Sequence, residues 1–467
     1  MKNIKAIKEF SSQKVFYLTS VILLFPIAFV FFTKISSIDY INIRSLISVL
    51  LSFFLVDFVI KSSEGLFSYY SIKLSSSFKF VSFILFSFGL SIVIAIFGVK
   101  IDFLYFIIGL LVVSNTLFFK NEKKMKKKFM QLLNIFSIYS INKFNNFFIY
   151  KRQELAGDVD RWQYPNTEKI FNNHLIDVFA NPIDDLGYWY INLLVLANFY
   201  LAFMSKIVLL NLEFIPLQII PCTLFVLFAI FIREVDIKSK TKYLILILNL
   251  FILMINDWIR YLLIDSFMQE GVVSLFFVII YYNFLRIENL KPPEKYFLYT
   301  IIGFFIFSKL FIGLFIFVLP FLFSKHKSWI WLIKEYWSIS IGLLGLISIL
   351  IKYPKENLND YPITVNFLNI PKIISYWIED ALFMFIILFS VIFLISYLIN
   401  NNFKFPEFQS RILFLSLLNL SIILALYSTL WSSGEEYESS YRYYLQVYYL
   451  NLLLIGTMFN KLLESRS

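Results

Sequence analysis

An all-α, polytopic transmembrane helix bundle is the fold class this sequence predicts, and three observations predict it. Of 467 residues, 59% are hydrophobic and only 16% are charged, with a mean hydropathy of +0.74. A soluble globular chain carries about 25% charge. Apolar runs of about 16–22 residues recur along the chain, the length a helix needs to cross hydrocarbon. The bases gather at the ends of those runs, at Lys2–Lys14, Lys120–Lys128 and Arg233–Lys242. Such clusters mark the cytoplasmic side of a membrane protein. Length and hydropathy together give about 12 to 14 spans.

The net charge of +11 therefore reads as membrane orientation, and no nucleic-acid partner is expected. A single cysteine, Cys222, excludes an internal disulfide framework. Two histidines, His174 and His326, exclude a His-rich metal site. The many phenylalanines are read as compositional bias and given no function.

Val15–Phe32 is the first apolar run. No small-x-small cleavage site closes it, so it reads as a retained anchor helix. Ser45–Ile60, Phe80–Val99 and Phe103–Phe119 follow and complete a four-span region over residues 1–130. An even number of crossings returns the chain to the side of the basic run Lys120–Lys128. Met130–Tyr150 is apolar but carries Asn134, Asn142, Lys143, Asn145 and Asn146. It fits either a span or an interfacial amphipathic helix.

Residues 151–187 form a polar, acid-rich loop near the middle of the N-terminal half. Its residues 157–185 hold Asp158, Asp160, Glu168, Asp177, Asp184 and Asp185 against Arg161 and Lys169, with Trp162, Tyr164 and Phe171 interleaved. Charge of that density cannot sit in hydrocarbon, and a plain connector would be a few residues long. The loop is therefore the first candidate for chemistry.

The remaining runs are Tyr188–Met204, Pro216–Ile232, Tyr243–Asn256, Gly271–Leu285, Phe297–Phe323, Ser338–Ile351, Ala381–Ile399, Ile412–Leu430 and Tyr448–Phe459. Phe297–Phe323 is too long for one simple helix and is interrupted at Ser308-Lys309. Charge places Arg233–Lys242, Arg286–Lys295, Lys325–Lys327 and Lys461–Arg466 inside. It places Asp257–Glu270, the loop Tyr353–Asp380 and Trp431–Tyr444 outside. The acidic loop is inside if Tyr188–Met204 and Pro216–Ile232 both span and nothing else does. It is outside if the stretch around Ile207–Ile232, with Pro216 and Pro221, holds an extra crossing or half-span.

Four clusters could carry chemistry. Asp158 and Asp160 suit a general base, or else the N-cap of a helix. Asp265 closes the DWIRYLLID segment, where Asp257 can pair with Arg260. Lys309 lies within an apolar run, which marks a functional group at membrane depth or a wet junction between two short helices. Ser439 and Arg442 stand where the Tyr-rich terminal run begins. Arg442 suits a headgroup-level phosphate, since its planar fork binds phosphate oxygens in pairs; snorkelling to the interface is the alternative.

These stretches, over roughly Gly157–Leu450, resemble the GT-C superfamily of polytopic membrane glycosyltransferases. GDVDRWQYPNTEKIF is similar to the first outer loop of that family, with Asp158, Asp160, Trp162 and Lys169 in it. Asp265 stands where bacterial members carry an Asp-Pro turn, here without the flanking Tyr-Ala and Pro. Lys309–Gly313 is one residue longer than the family's Lys-x-x-Gly. Ser439-Ser440-Tyr441-Arg442 matches a Ser-x-x-Arg at the outer end of a late span.

The resemblance implies transfer of a sugar from a polyprenyl-phosphate donor to an envelope glycan, lipid or protein acceptor. It puts the reaction at the outer face of a membrane, in a multi-pass protein of a bacterial plasma membrane. Asp158, with Asp160 second, would be the catalytic base. Trp162, Lys169, Asp265, Lys309, Ser439 and Arg442 would bind substrate. No cofactor is assigned; a divalent cation is left open, and no residue is assigned to one. Two other classes compete, an O-antigen-type polymerase and a lipid-linked-sugar flippase or transporter. The first usually relies on arginines in outer loops, which here are led by acids. The second calls for inverted repeats and charges inside several spans.

Overall fold

A computed structural model of the chain describes residues 43–69, 74–96, 109, 111–117, 164–172, 195–207, 219–255, 270–305, 366–379 and 440–465. It also describes residues 337, 339–340, 344, 347, 411–413, 418, 421 and 424–425. Among the described residues every regular element is helical. In chain order these are α1 (Ile43–Tyr69), α2 (Ser76–Ile96), α3 (Tyr164–Phe171), α4 (Val195–Ile207), α5 (Ile219–Glu234) and α6 (Ser239–Ile255). After them come α7 (Glu270–Leu285), a 3-10 turn (Ile287–Asn289), α8 (Pro292–Phe304), α9 (Asn369–Glu379) and α10 (Ser440–Ser465). Among the described residues one helix, α2, is long and apolar enough to cross a membrane, over Ser76–Val93; α7 is as apolar but shorter.

Helix α7 is the axis. Residues 271–284 are all buried, and α7 packs against α2, α4, α5, α8 and α10. Helix α2 runs beside it and also touches α1, α4, α5 and α8, which joins the first predicted region to the rest. The phenylalanines given no role by the sequence are what hold this centre together. Phe80, Tyr200 and Phe276, from α2, α4 and α7, stand mutually edge to face, with centroids 6.5, 6.2 and 5.9 Å apart. Phe83–Phe203 and Phe88–Phe199 extend the contact along α2. Such pairs add about 0.5–1.5 kcal/mol each beyond the area they bury.

Hydroxyls inside the helices are satisfied locally. Ser62, Ser87, Ser91 and Thr223 each donate to the carbonyl one turn back, at 2.7–2.8 Å. That is how a helix keeps hydroxyls where no water reaches. Helix α1 runs past its predicted end at Ile60 to Tyr69. Lys61 there meets Asp57 one turn back at 3.8 Å, and the Ser62 and Ser63 hydroxyls bond back into the helix.

Close approach is also set by small residues. A side chain at Gly303 of α8 would meet the Ile339 carbonyl oxygen 2.6 Å from its Cβ. Gly303→Val should thus lower thermal stability by about 1–3 kcal/mol, the usual penalty for overpacking. An unchanged melting midpoint would contradict the contact.

Two stretches predicted as loop contain helix. Helix α3 lies inside the acidic stretch, and α9 lies inside the outer loop Tyr353–Asp380. Both carry proline near the start, Pro165 and Pro371, where a missing N–H breaks no helical bond. The helix α8, predicted to begin at Phe297, begins at Pro292 for the same reason. The Glu294 carboxylate accepts from the Lys291 N–H at 3.0 Å and closes its first turn.

Candidate functional site

The acidic stretch is tied to the bundle through α3. Asn166, Thr167 and Ile170 are buried on one side of α3, which packs along α4. The Thr167 hydroxyl donates to Asn198 Oδ1 at 3.4 Å. At the far end of both helices, Lys206 Nζ sits 4.3 Å above the Phe171 ring and the residue is 8% exposed. A desolvated cation over an aromatic face is attracted by the ring quadrupole. Glu168 is exposed and Lys169 half-buried in the last turn of α3, off the packed side. Asp158 and Asp160 precede this anchored helix by a few residues.

Of the predicted site residues, Lys169 and the backbone of Arg442 are described. Asp158, Asp160, Trp162, Asp265, Lys309 and Ser439 lie outside the described residues. Arg442 is the third residue of α10. Its position shares a helix face with 446, 449 and 453, by the spacing of seven and four residues. At Tyr449 and Leu453 that face is buried, and the Tyr449 ring packs 5.1 Å from Phe228 of α5. Helix α10 is fixed further by Tyr448, whose hydroxyl donates to Asn249 Oδ1 of α6 at 2.7 Å. Position 442 therefore stands above a face that turns into the bundle.

No family model matches the chain, and neither does any curated protein or solved structure. Among the described residues no group of three or more His, Cys, Asp or Glu is placed to hold a metal ion.

Sequence reasoning missed a second polar centre, at the opposite end of α5 from its start. The Glu234 carboxylate accepts from the Ser76 N–H at 2.5 Å, the Ser77 N–H at 3.1 Å and the Ser77 hydroxyl. It thereby caps the N-terminus of α2, where free N–H groups and the helix dipole favour an anion. Nearby, Tyr282 Oη accepts from the Asp236 N–H at 3.2 Å and from Arg286 Nη1 at 3.1 Å. The Lys238 N–H donates to Asn460 Oδ1 at 2.8 Å. The Arg233–Lys242 turn, predicted to lie inside, is thus bonded to α7 one turn before Arg286 and to α10 at Asn460, just before the predicted inner end Lys461–Arg466. Lys206 and Glu234 were missed because each is one charge at the edge of an apolar run, where a solvated end is the default reading.

Burial pushes the Glu234 carboxyl above its ordinary 4.5, against the pull of the Ser77 and Ser76 bonds and the Arg233 charge. Burial likewise holds the Lys242 ammonium group below 10.5, opposed chiefly by Asp236. The raised Glu234 value means the folded chain holds that proton more tightly than the unfolded one. Its contribution to stability is full below 4.5 and is lost as pH rises through the folded value. The stability of the native chain relative to Glu234→Gln should accordingly decline as pH rises above 4.5, measured by thermal melts of both proteins. A constant difference would show that the carboxyl is not perturbed in this direction.

Proposed function

We propose that this protein is an integral, multi-pass membrane glycosyltransferase of the GT-C kind. It moves a sugar from a polyprenyl-phosphate donor to an envelope glycan, lipid or protein acceptor at the outer face of a bacterial-type plasma membrane. The observation that carries the reading is the pairing of two anchored elements with the predicted chemistry. Asp158 and Asp160 lead into a helix fastened to the bundle at Thr167 and Phe171. Arg442 stands on the bundle-facing register of a helix fastened at Tyr448 and Tyr449. Anchoring of both is what a site needs to hold base and phosphate clamp at fixed separation.

In the reaction so read, Asp158 takes the proton of the acceptor hydroxyl as its oxygen attacks the anomeric carbon. The bond from that carbon to the lipid phosphate oxygen breaks, and the phosphate leaves carrying the bonding pair. Arg442, with Lys309 behind it, stabilises the charge that gathers there. Trp162, Lys169, Asp265 and Ser439 position the two substrates.

The test uses the full chain in nanodiscs, given radiolabelled polyprenyl-phosphate hexose or pentose together with a cell-envelope extract as acceptor pool. Release of free polyprenyl phosphate with label passing to the extract is expected. Absence of transfer from both donors would overturn the reading. In the same assay Arg442→Gln should lower turnover about 10²- to 10³-fold, the scale for removing one charge-stabilising donor. Arg442→Gln turning over like the native chain would exclude that role.

A further inference from the structure

Helix α6 carries a surface that sugar transfer does not use. Its buried side, Thr241, Ile245, Asn249 and Ile252, packs on α10, where Ile245 touches Gly456 and Asn249 meets Tyr448. About 120° round the helix, Leu244, Ile247 and Phe251 are 37%, 58% and 50% exposed. Lys240, four residues before Leu244, is exposed on the same face at the helix start, and exposed Lys238 lies in the turn just ahead. The apolar stripe is about 10 Å long and Lys240 stands about 6 Å beyond its end along the axis.

We propose that this face holds an anionic phospholipid. Acyl chains would lie along Leu244, Ile247 and Phe251, with the headgroup phosphate against Lys240 and Lys238. The charge decides between occupants. A helix of a second copy would leave two ammonium groups facing its apolar stripe, and a neutral lipid would leave them without a counter-ion. The turn that presents the lysines is rigid, since the Lys238 N–H is bonded to Asn460 and the Lys242 ammonium to the Arg233 carbonyl at 2.5 Å. Juxtamembrane bases attract anionic headgroups at short range, and the attraction is screened by salt. The proposal rests on the membrane reading of the chain and is independent of the sugar-transfer reading.

The full chain is first tested for membrane insertion by alkaline carbonate extraction, then purified in a mild detergent. It is titrated with phosphatidylglycerol and with phosphatidylcholine of identical acyl chains, and bound lipid is counted by native mass spectrometry. The native chain should prefer phosphatidylglycerol by about thirtyfold, from two surface lysines. The double variant Lys238→Gln, Lys240→Gln should bind both lipids alike, while Ile247→Ser should weaken both equally. Because all three substitutions are at exposed positions, melting midpoints close to the native one are expected and are measured alongside. Equal binding of the two lipids by the native chain, or a preference surviving the double variant, overturns the lipid site alone. Release of the chain by carbonate overturns the membrane reading and the lipid site with it.

Discussion

Asp158→Asn should reduce transfer from a polyprenyl-phosphate sugar by about 10²- to 10⁴-fold, the range a positioned general base supplies. The change keeps the size and hydrogen-bonding reach of the side chain and removes its ability to take a proton. Because α3 is held by its own contacts to α4, at Thr167 with Asn198 and Phe171 with Lys206, the fold should survive. The loss should therefore fall on kcat, with donor binding retained. Asp160→Asn separates the two carboxylates: it should cost much less if Asp158 is the base. The reverse ranking would move the role to Asp160, and full activity in both would remove the loop from the chemistry.

The second large effect is structural. Glu234→Ala should destabilise the chain by about 2–4 kcal/mol, because the substitution leaves the Ser76 and Ser77 N–H groups and the buried Ser77 hydroxyl without their acceptor. Glu234→Gln keeps a carbonyl oxygen that can still accept and should cost distinctly less. A thermal melt in detergent ranks the three proteins. If alanine and glutamine behaved alike, the cap at the start of α2 would be energetically idle, and α1, α2 and α5 would be held by their apolar contacts alone.

Bases ending apolar runs predict that the turns at Arg233–Lys242 and Arg286–Lys295 share a side. In the fold the Asp236 N–H donates to Tyr282, one turn before Arg286, and the Lys238 N–H donates to Asn460. Helices α2, α5, α6 and α7 match their apolar runs to within about four residues at each end, whereas the described part of α4 begins at Val195, well inside its run. The order of packing was not legible. When nearly every position of α7 is apolar, no face is marked, so nothing distinguishes the central helix from one bordered by lipid. Its centrality follows from partners far away in sequence, such as Phe80 and Tyr200.

Helix α3 was hidden for a different reason. Its packed side is made by Asn166 and Thr167 as much as by Ile170, so the apolar period that announces a helix is missing. The same polar side explains why Asn198, one turn into α4, is buried. For the site, the sequence suggested both the acids and the arginine, each by local character. That each borders an anchored helix depends on long-range contacts, Thr167 with Asn198 and Tyr449 with Phe228, which no local pattern encodes.

Sugar transfer at the outer face requires the acidic loop and the basic turns to lie on opposite sides of a membrane. Single cysteines at Asn173, in the loop, and at Ser239, the exposed first residue of α6, are treated with a membrane-impermeant maleimide in intact cells. The native Cys222 is fully buried and should stay unlabelled, with Cys222→Ala as the control background. Labelling at 173 in intact cells, with 239 reacting only after lysis, is the predicted result. Labelling at 173 only after lysis would remove Asp158 from the outer face and contradict the transferase reading.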